Sequence, residues 1–392
     1  MPVGPLGEGQ LIPLYTEEFA ADPHKVYGEM RLRHKTLAPV ELSPGVPATL
    51  VIGYQTAVRI GNDEPHFPAD PRTWQQNIPD ECPVKPMMEH RKNALRSAGA
   101  EHKRYRDASV ASMSAINLFT VQDDIEKFAV PVIETFRHDG HADLLTQYAL
   151  PVTFAYVNHM VGCPAEIGQK VATGMAMMFE GDRAAEGQMM FQTGLGELVD
   201  LKTQYPGDDV TSRLIAHSAA LTREELIQQL VTIYGAGIEP LVNLISNTLL
   251  LMLRDPRYFG PASLTTTDAV NELLFTDPPL ANFGFTYPPQ PIYVDGEWLP
   301  AHQPVVISMA ACNTDPAVFG PLTDNRSHIA WGTGPHVCPA KDVVTQVARH
   351  AIDFLFDLLP ALGLDPAAEL EWRPGFVHRS LAALPVVFDP RG

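Results

Sequence analysis

Cys338 stands in the run Trp331-Gly332-Thr333-Gly334-Pro335-His336-Val337-Cys338-Pro339-Ala340. Glycines at 332 and 334 permit a tight turn whose backbone can come close to a flat ligand. A long helical pattern follows at once, and backbone N–H groups at a helix start favour a thiolate, which is both a nucleophile and a soft metal ligand. Taken alone, Cys338 reads more readily as a buried structural thiol in a glycine-rich turn, because free cysteine is commonly buried. Three segments elsewhere in the chain carry acid or base residues that could do chemistry. His102 and Arg106, in Glu101-His102-Lys103-Arg104-Tyr105-Arg106, lie four apart and share a helix face. Glu239, in Gly235-Ala236-Gly237-Ile238-Glu239-Pro240-Leu241-Val242-Asn243, is an acid whose titration would be perturbed if partly buried. Asn243 follows one turn later. Glu272, in Glu272-Leu273-Leu274-Phe275, lies in the third, and a lone buried carboxylate there would need either a cation, for which Arg326 is a candidate, or a proton.

These groups need elements to hold them. The pattern predicts helix over 16–36, a strand over Ala48–Gly53, and a long loop over 66–92. From Gly99 to Leu253 it is mostly helical, with breaks at Pro151, Gly162–Pro164 and Tyr205–Gly207. Thr222 is the natural cap for the helix that carries Glu239, and Pro240 inside that helix predicts a kink. A helix is expected over Thr267–Thr276, capped by Asp268 or a nearby threonine. Residues 280–309 alternate apolar and polar between prolines and glycines, as short strands and turns do. A last helix runs from Ala340 to Leu359, and the tail ends in a strand-like LPVVF. The fold class is therefore mostly α with a small β portion. We expect one large domain over 1–392, with helix-rich body at 99–276 and 338–360 and β-rich segments at 37–60, 280–309 and 372–390.

Composition narrows the functions. Of 392 residues, 45% are hydrophobic, enough for a packed interior. Lys and Arg number 28 against 46 Asp and Glu, a formal charge of −18, which disfavours nucleic acid and anionic membranes as partners. No pair of the four cysteines has CxxC spacing, so structural zinc and thioredoxin-like chemistry are not expected. The opening MPVGPLGEGQ does not read as a secretory signal. The apolar stretch Leu241–Leu253 is broken by Asn243 and Asn247, and reads as a core helix too short to span a membrane. A cytoplasmic location with reduced cysteines is expected.

The cysteine run resembles the ligand loop of cytochromes P-450, Phe-Gly-x-Gly-x-His-x-Cys-x-Gly, with Trp331 for Phe and Ala340 for the last Gly. The resemblance extends over nearly the whole chain. It implies the cytochrome P-450 fold, with haem b between the central helix and the Cys338 loop, and Cys338 as the iron ligand. A thiolate-ligated haem iron favours oxygen–oxygen bond cleavage. It further implies that His102, Arg106 and His336 reach the haem propionates, that Trp331 and Gly332 border the macrocycle, and that Ala236 and Gly237 leave room above it for dioxygen. Ala236-Gly237-Ile238-Glu239-Pro240 is similar to the family's Ala-Gly-x-(Asp/Glu)-Thr, whose acid and alcohol organise proton delivery. Glu239 matches the acid, Pro240 lacks the alcohol, and Asn243 could hold a water in its place. Glu272-Leu273-Leu274-Phe275 departs from the family's Glu-x-x-Arg, and Phe285 stands where the family has a propionate-binding arginine. These departures resemble an actinobacterial subgroup often encoded beside small signalling GTPases, so signalling proteins are a further partner class.

Mapped from the family, the substrate pocket takes in Met87, Met88, Ala236, Leu280, Phe283 and Phe376, which suits a hydrophobic small molecule. Electrons would come from a ferredoxin and its ferredoxin reductase, docking where Lys103, Arg104, Lys341 and Arg349 form a basic patch. Two other readings stay open: a haem-binding sensing or interaction protein with little turnover, favoured by Pro240 and Phe275, and a haem-free scaffold.

Overall fold

The computed structural model describes residues 11–178, 183–260, 263–322, 325–359 and 361–390. Its axis is the helix Arg223–Arg254. Thr222 starts it with a capping box: its hydroxyl accepts the Glu225 N–H while the Glu225 carboxylate accepts the Thr222 N–H. The helix stays continuous through Pro240. Its residues on both sides of the proline are buried, so tertiary packing holds what the missing N–H weakens. By length and hydropathy this helix could cross a membrane, yet 67% of its most apolar stretch is buried inside the protein, as in a core helix.

Around this axis pack the helices Gly99–Ser114, Val121–Glu134, Leu150–Val161, Ala184–Gln204, Thr266–Thr276 and Lys341–Leu358. Leu230, Tyr234, Ile238 and Leu241 join Ile125, Val152, Leu195 and Val347 in one core. The break expected at Pro151 is absent. A π turn at Leu145–Ala149 runs straight into Leu150–Val161, and Pro151 falls in that helix's first turn, where no N–H is needed. The other two breaks hold: Gly162 is a left-handed cap and Tyr205 ends Ala184–Gln204. The stretch 66–92 carries two single helical turns, Arg72–Gln75 and Lys85–Met88.

Among the described residues, the main sheet has five strands in the order Ile12–Pro13, Leu37–Glu41, Pro47–Val51, Val305–Ser308, Asn282–Thr286. Pro47–Val51 pairs parallel with Val305–Ser308, Leu50 opposite Val306, so early and late chain share one sheet. A second core forms on it from Leu50, Phe285, Val306 and Phe376. The tail strand Pro385–Val387 pairs with His141–Asp143 and Gly363–Leu364.

Candidate functional site

A cavity of about 270 Å³, counted as space open to the centre of a water, lies between the central helix, the sheet and the Cys338 loop. Its walls run from Gly61 to Val344 and are mostly apolar, among them Leu241, Leu244, Leu280, Phe283, Ile307 and Val343. Cys338, Trp331, Gly332, His336, Arg106, Ala236 and Gly237 all border it. His102 is buried behind His336.

The Cys338 loop is closed by its own backbone, the Cys338 N–H donating to the Trp331 carbonyl at 2.7 Å. Gly332 and Gly334 both have left-handed φ, +80° and +70°. A Cβ on Gly334 would fall 1.8 Å from the Gly61 carbonyl, so only glycine lets the loop seat against the helix Tyr54–Gly61. Burial pushes the Cys338 thiol up, opposed by the Ala340 N–H and by the Arg106 charge. The expected helix-start stabilisation is present but outweighed; a bound metal ion would deprotonate a coordinating thiol outright.

His102 and Arg106 come from Gly99–Ser114, whose other side is clamped to the start of the central helix. Arg104 donates to both oxygens of Glu225 at 2.7 and 2.9 Å, and the Tyr105 hydroxyl adds a third bond at 2.9 Å. With the Thr222 N–H, these bonds hold the Glu225 carboxyl down at about 2. Arg104 is therefore spoken for, and the basic patch loses it: its charge is spent inside the fold. Lys103 pairs with Asp107, Arg349 turns to His350, and Lys341 is exposed.

At the cavity's polar end the imidazoles of His102 and His336 stack at 4.0 Å. The Nε2 atoms of both are buried without a partner. Arg106 donates to the Val337 carbonyl, and Glu64 approaches His102 Nδ1 at 3.6 Å. Burial first, then the neighbouring His102, Arg106 and Arg96, pushes His336 down to about 3, so its ring is neutral. Arg96 is the residue sequence reading passed over. It is 4% exposed and borders the cavity. No motif marks it, since the contacts that give it meaning come from the sheet.

Glu239 and Asn243 do not border the cavity. Glu239 pairs with Arg373 and approaches His378 at 3.6 Å, on the outer side of the helix. Asn243 is fully buried and donates to the Ser380 hydroxyl at 2.6 Å. The expected proton-handling pair is thus turned toward the tail, where Arg373 and Ser380 bond it. That turn presents Ala236, Gly237 and Pro240, and a Cβ on Gly237 would meet nothing within 4 Å.

Glu272 finds its cation in Arg257, 2.6 Å away, with the Tyr258 hydroxyl at 3.1 Å. Arg326, the expected partner, instead donates to the Asn325 carbonyl. Phe275 is buried edge-on against His328 at 5.0 Å. Asparagines then tie this helix to the chain leading into the Cys338 loop: Asn271 to the Asn325 carbonyl, and Asn313 between the Leu274 carbonyl and the Ile329 N–H.

Of the mapped substrate residues, Leu280 and Phe283 border the cavity with Ala236. Met87, Met88 and Phe376 do not; they belong to the sheet core. Phe285 stands between Phe376 and the cavity, and the Met87 carbonyl is held by Arg96.

The fold and a half-buried cysteine facing an apolar cavity are those of cytochromes P-450, oxidoreductases whose cofactor is haem b. The chain is 28% identical to the cytochrome P-450 monooxygenase PikC of Streptomyces venezuelae, over 94% of this chain and 92% of that one. It is 25% identical to the vitamin D(3) 25-hydroxylase of Pseudonocardia autotrophica, over 96% of each. CYP154C4 from Streptomyces sp. ATCC 11861 superposes with a TM-score of 0.87 at 25% identity, covering 98% of this chain and all of that one. No family model matches. The residues fit haem: one wall offers a thiol, the other end offers orphaned imidazole nitrogens and guanidinium donors, and the space between is apolar.

Proposed function

We propose that this monooxygenase oxidises a hydrophobic small molecule with electrons from a ferredoxin. The observation that carries the reading is the single cavity that joins Cys338 to the apolar wall Leu241, Leu244, Leu280 and Phe283. When bound, haem supplies the oxidative chemistry, activating dioxygen through its iron. The chain's own residues do the rest. Cys338 would hold the iron through its thiolate, Arg106, His336 and His102 would hold the carboxylates, and Trp331 and Gly332 would pack against the macrocycle. Gly237 leaves space beside the central helix, and the apolar wall excludes water and positions substrate by burial rather than by hydrogen bonds. Electrons enter on the Cys338 side, where Lys103 and Lys341 are exposed on an otherwise acidic protein.

A second reading, a haem-binding sensing or interaction protein with little turnover, draws support from Glu239, whose carboxylate faces Arg373 instead of the cavity.

The test is the spectrum of the purified protein under carbon monoxide. It is reduced first with dithionite, then with a ferredoxin, its reductase and NADPH. A red-shifted Soret band in both arms, lost in Cys338→Ala, is expected. A band at the shorter wavelength of a neutral-ligand complex removes Cys338 from the reading. A red-shifted band with dithionite alone removes the ferredoxin. NADPH consumption without oxidised product across apolar candidates selects the second reading.

A further inference from the structure

We propose that Arg96 binds a haem propionate, supplying from the loop before Gly99–Ser114 the cation that is missing at Phe285. This rests on the reading that haem occupies the cavity. Arg96 is 4% exposed, yet no carboxylate among the described residues pairs with it. Its partners are backbone carbonyls: Met87, reached by Nε at 3.1 Å and Nη2 at 2.9 Å, and Leu95, reached by Nη1 at 3.4 Å. A guanidinium has five N–H donors, so these bonds leave two. A buried charge without a counter-ion is strongly unfavourable, and such groups are found where something else neutralises them.

The surroundings say what that is. The rings of Phe283 and Phe285 lie 5.4 and 5.2 Å from Cζ of Arg96 and steady the cation without neutralising it. The Arg96 charge reaches His336, and Arg106 borders the same cavity. His102 and His336 add two buried, unpartnered Nε2 atoms. Against these donors stands Glu64, which approaches His102 but pairs with neither arginine. Glu64, His102 and His336 do bring ligand atoms within 4.8 Å of one another, as a metal site would. Two guanidiniums bordering that cavity oppose a cation and favour an anion. Carboxylates on a flat, apolar body that also reaches Cys338 meet every demand of the site. An arginine at 285 would crowd and repel Arg96, so the aromatic ring and the displaced cation belong together.

The experiment follows release of cofactor from the holoprotein to excess apomyoglobin, using natural haem and haem dimethyl ester, whose propionates carry no charge. Arg96→Gln keeps a donor for the Met87 carbonyl and removes the charge. For natural haem it is expected to speed release about tenfold, the usual worth of one charge-assisted hydrogen bond. For the ester, the two proteins should differ by less than about twofold. Phe285→Arg added to Arg96→Gln should slow natural-haem release again. Arg96→Lys, the milder variant, should fall between and show the same contrast between the two haems. Equal acceleration for both haems overturns the proposal and leaves Arg96 as a prop for the loop at Met87. If wild-type protein takes up neither haem, or its carbon monoxide complex lacks the thiolate band, the underlying haem reading fails and this proposal goes with it.

Discussion

The helix Thr266–Thr276 and the turn Ala236–Asn243 of the central helix both depart from the family pattern, and the structure absorbs the two departures differently. Behind the cysteine loop, the lost arginine had a mechanical task, tying a helix to the chain before the loop. Phe275 against His328, with Asn271 and Asn313 bonded across the same junction, does that with neutral groups. Glu272 is released to the rim, where Arg257 meets it. In the central helix, the lost hydroxyl had a positional task, to place an oxygen atom at the cavity wall. Pro240 occupies that wall, and Glu239 and Asn243 are bonded to Arg373 and Ser380 behind it. Mechanical tasks can be redistributed over several contacts; a task that needs one atom at one place cannot.

Three experiments press on that contrast. Phe275→Ala removes a fully packed ring from the junction and should cost about 3–5 kcal/mol in urea denaturation. A loss below about 1 kcal/mol would mean the asparagines alone carry the tie. His328 provides a pH handle of intermediate size. Burial, then Arg326, pushes it down to about 4, and its Nδ1 is buried without a partner. Because its folded value lies below the unfolded value of about 6.5, its contribution is complete above that pH and is lost as pH falls toward 4. His328→Gln should therefore reduce the acid loss of stability across that window by about 1–3 kcal/mol, read from urea midpoints at each pH. A slope unchanged from wild type assigns the acid loss to other groups. Pro240→Thr returns a hydroxyl to the cavity wall and an N–H to the helix. The share of NADPH electrons recovered in product should rise about tenfold, less than the roughly 10²–10⁴-fold that a well-positioned proton donor contributes. Unchanged coupling would show that the chain delivers protons by another route.

Much of the arrangement was legible in the sequence because it is local. The Cys338 loop, the Thr222 capping box, the Gly162 break and the strand segments each follow from residues within a turn or two. What escaped involves partners far apart. Glu239 turns outward because Arg373 waits 134 positions later, and Arg104 is taken by Glu225 rather than left on the surface. Arg257 reaches Glu272 over 15 positions. Arg96 carried no signal at all, since its meaning comes from aromatic rings that the sheet brings to it.

Gly334 seated on Gly61 joins the two ends of the chain across the cavity, and this bears on how the protein is made. His102 leaves the ribosome 236 residues ahead of Cys338 (338 less 102). At about 5–20 residues per second, that is a wait of roughly 10–50 s. Throughout it, the charged wall exists without its opposite face, and for most of it the strand Pro47–Val51 lacks its neighbour Val305–Ser308. Cofactor loading thus waits until Cys338 has been made, and a chain truncated before Cys338 lacks the thiolate that would hold the iron.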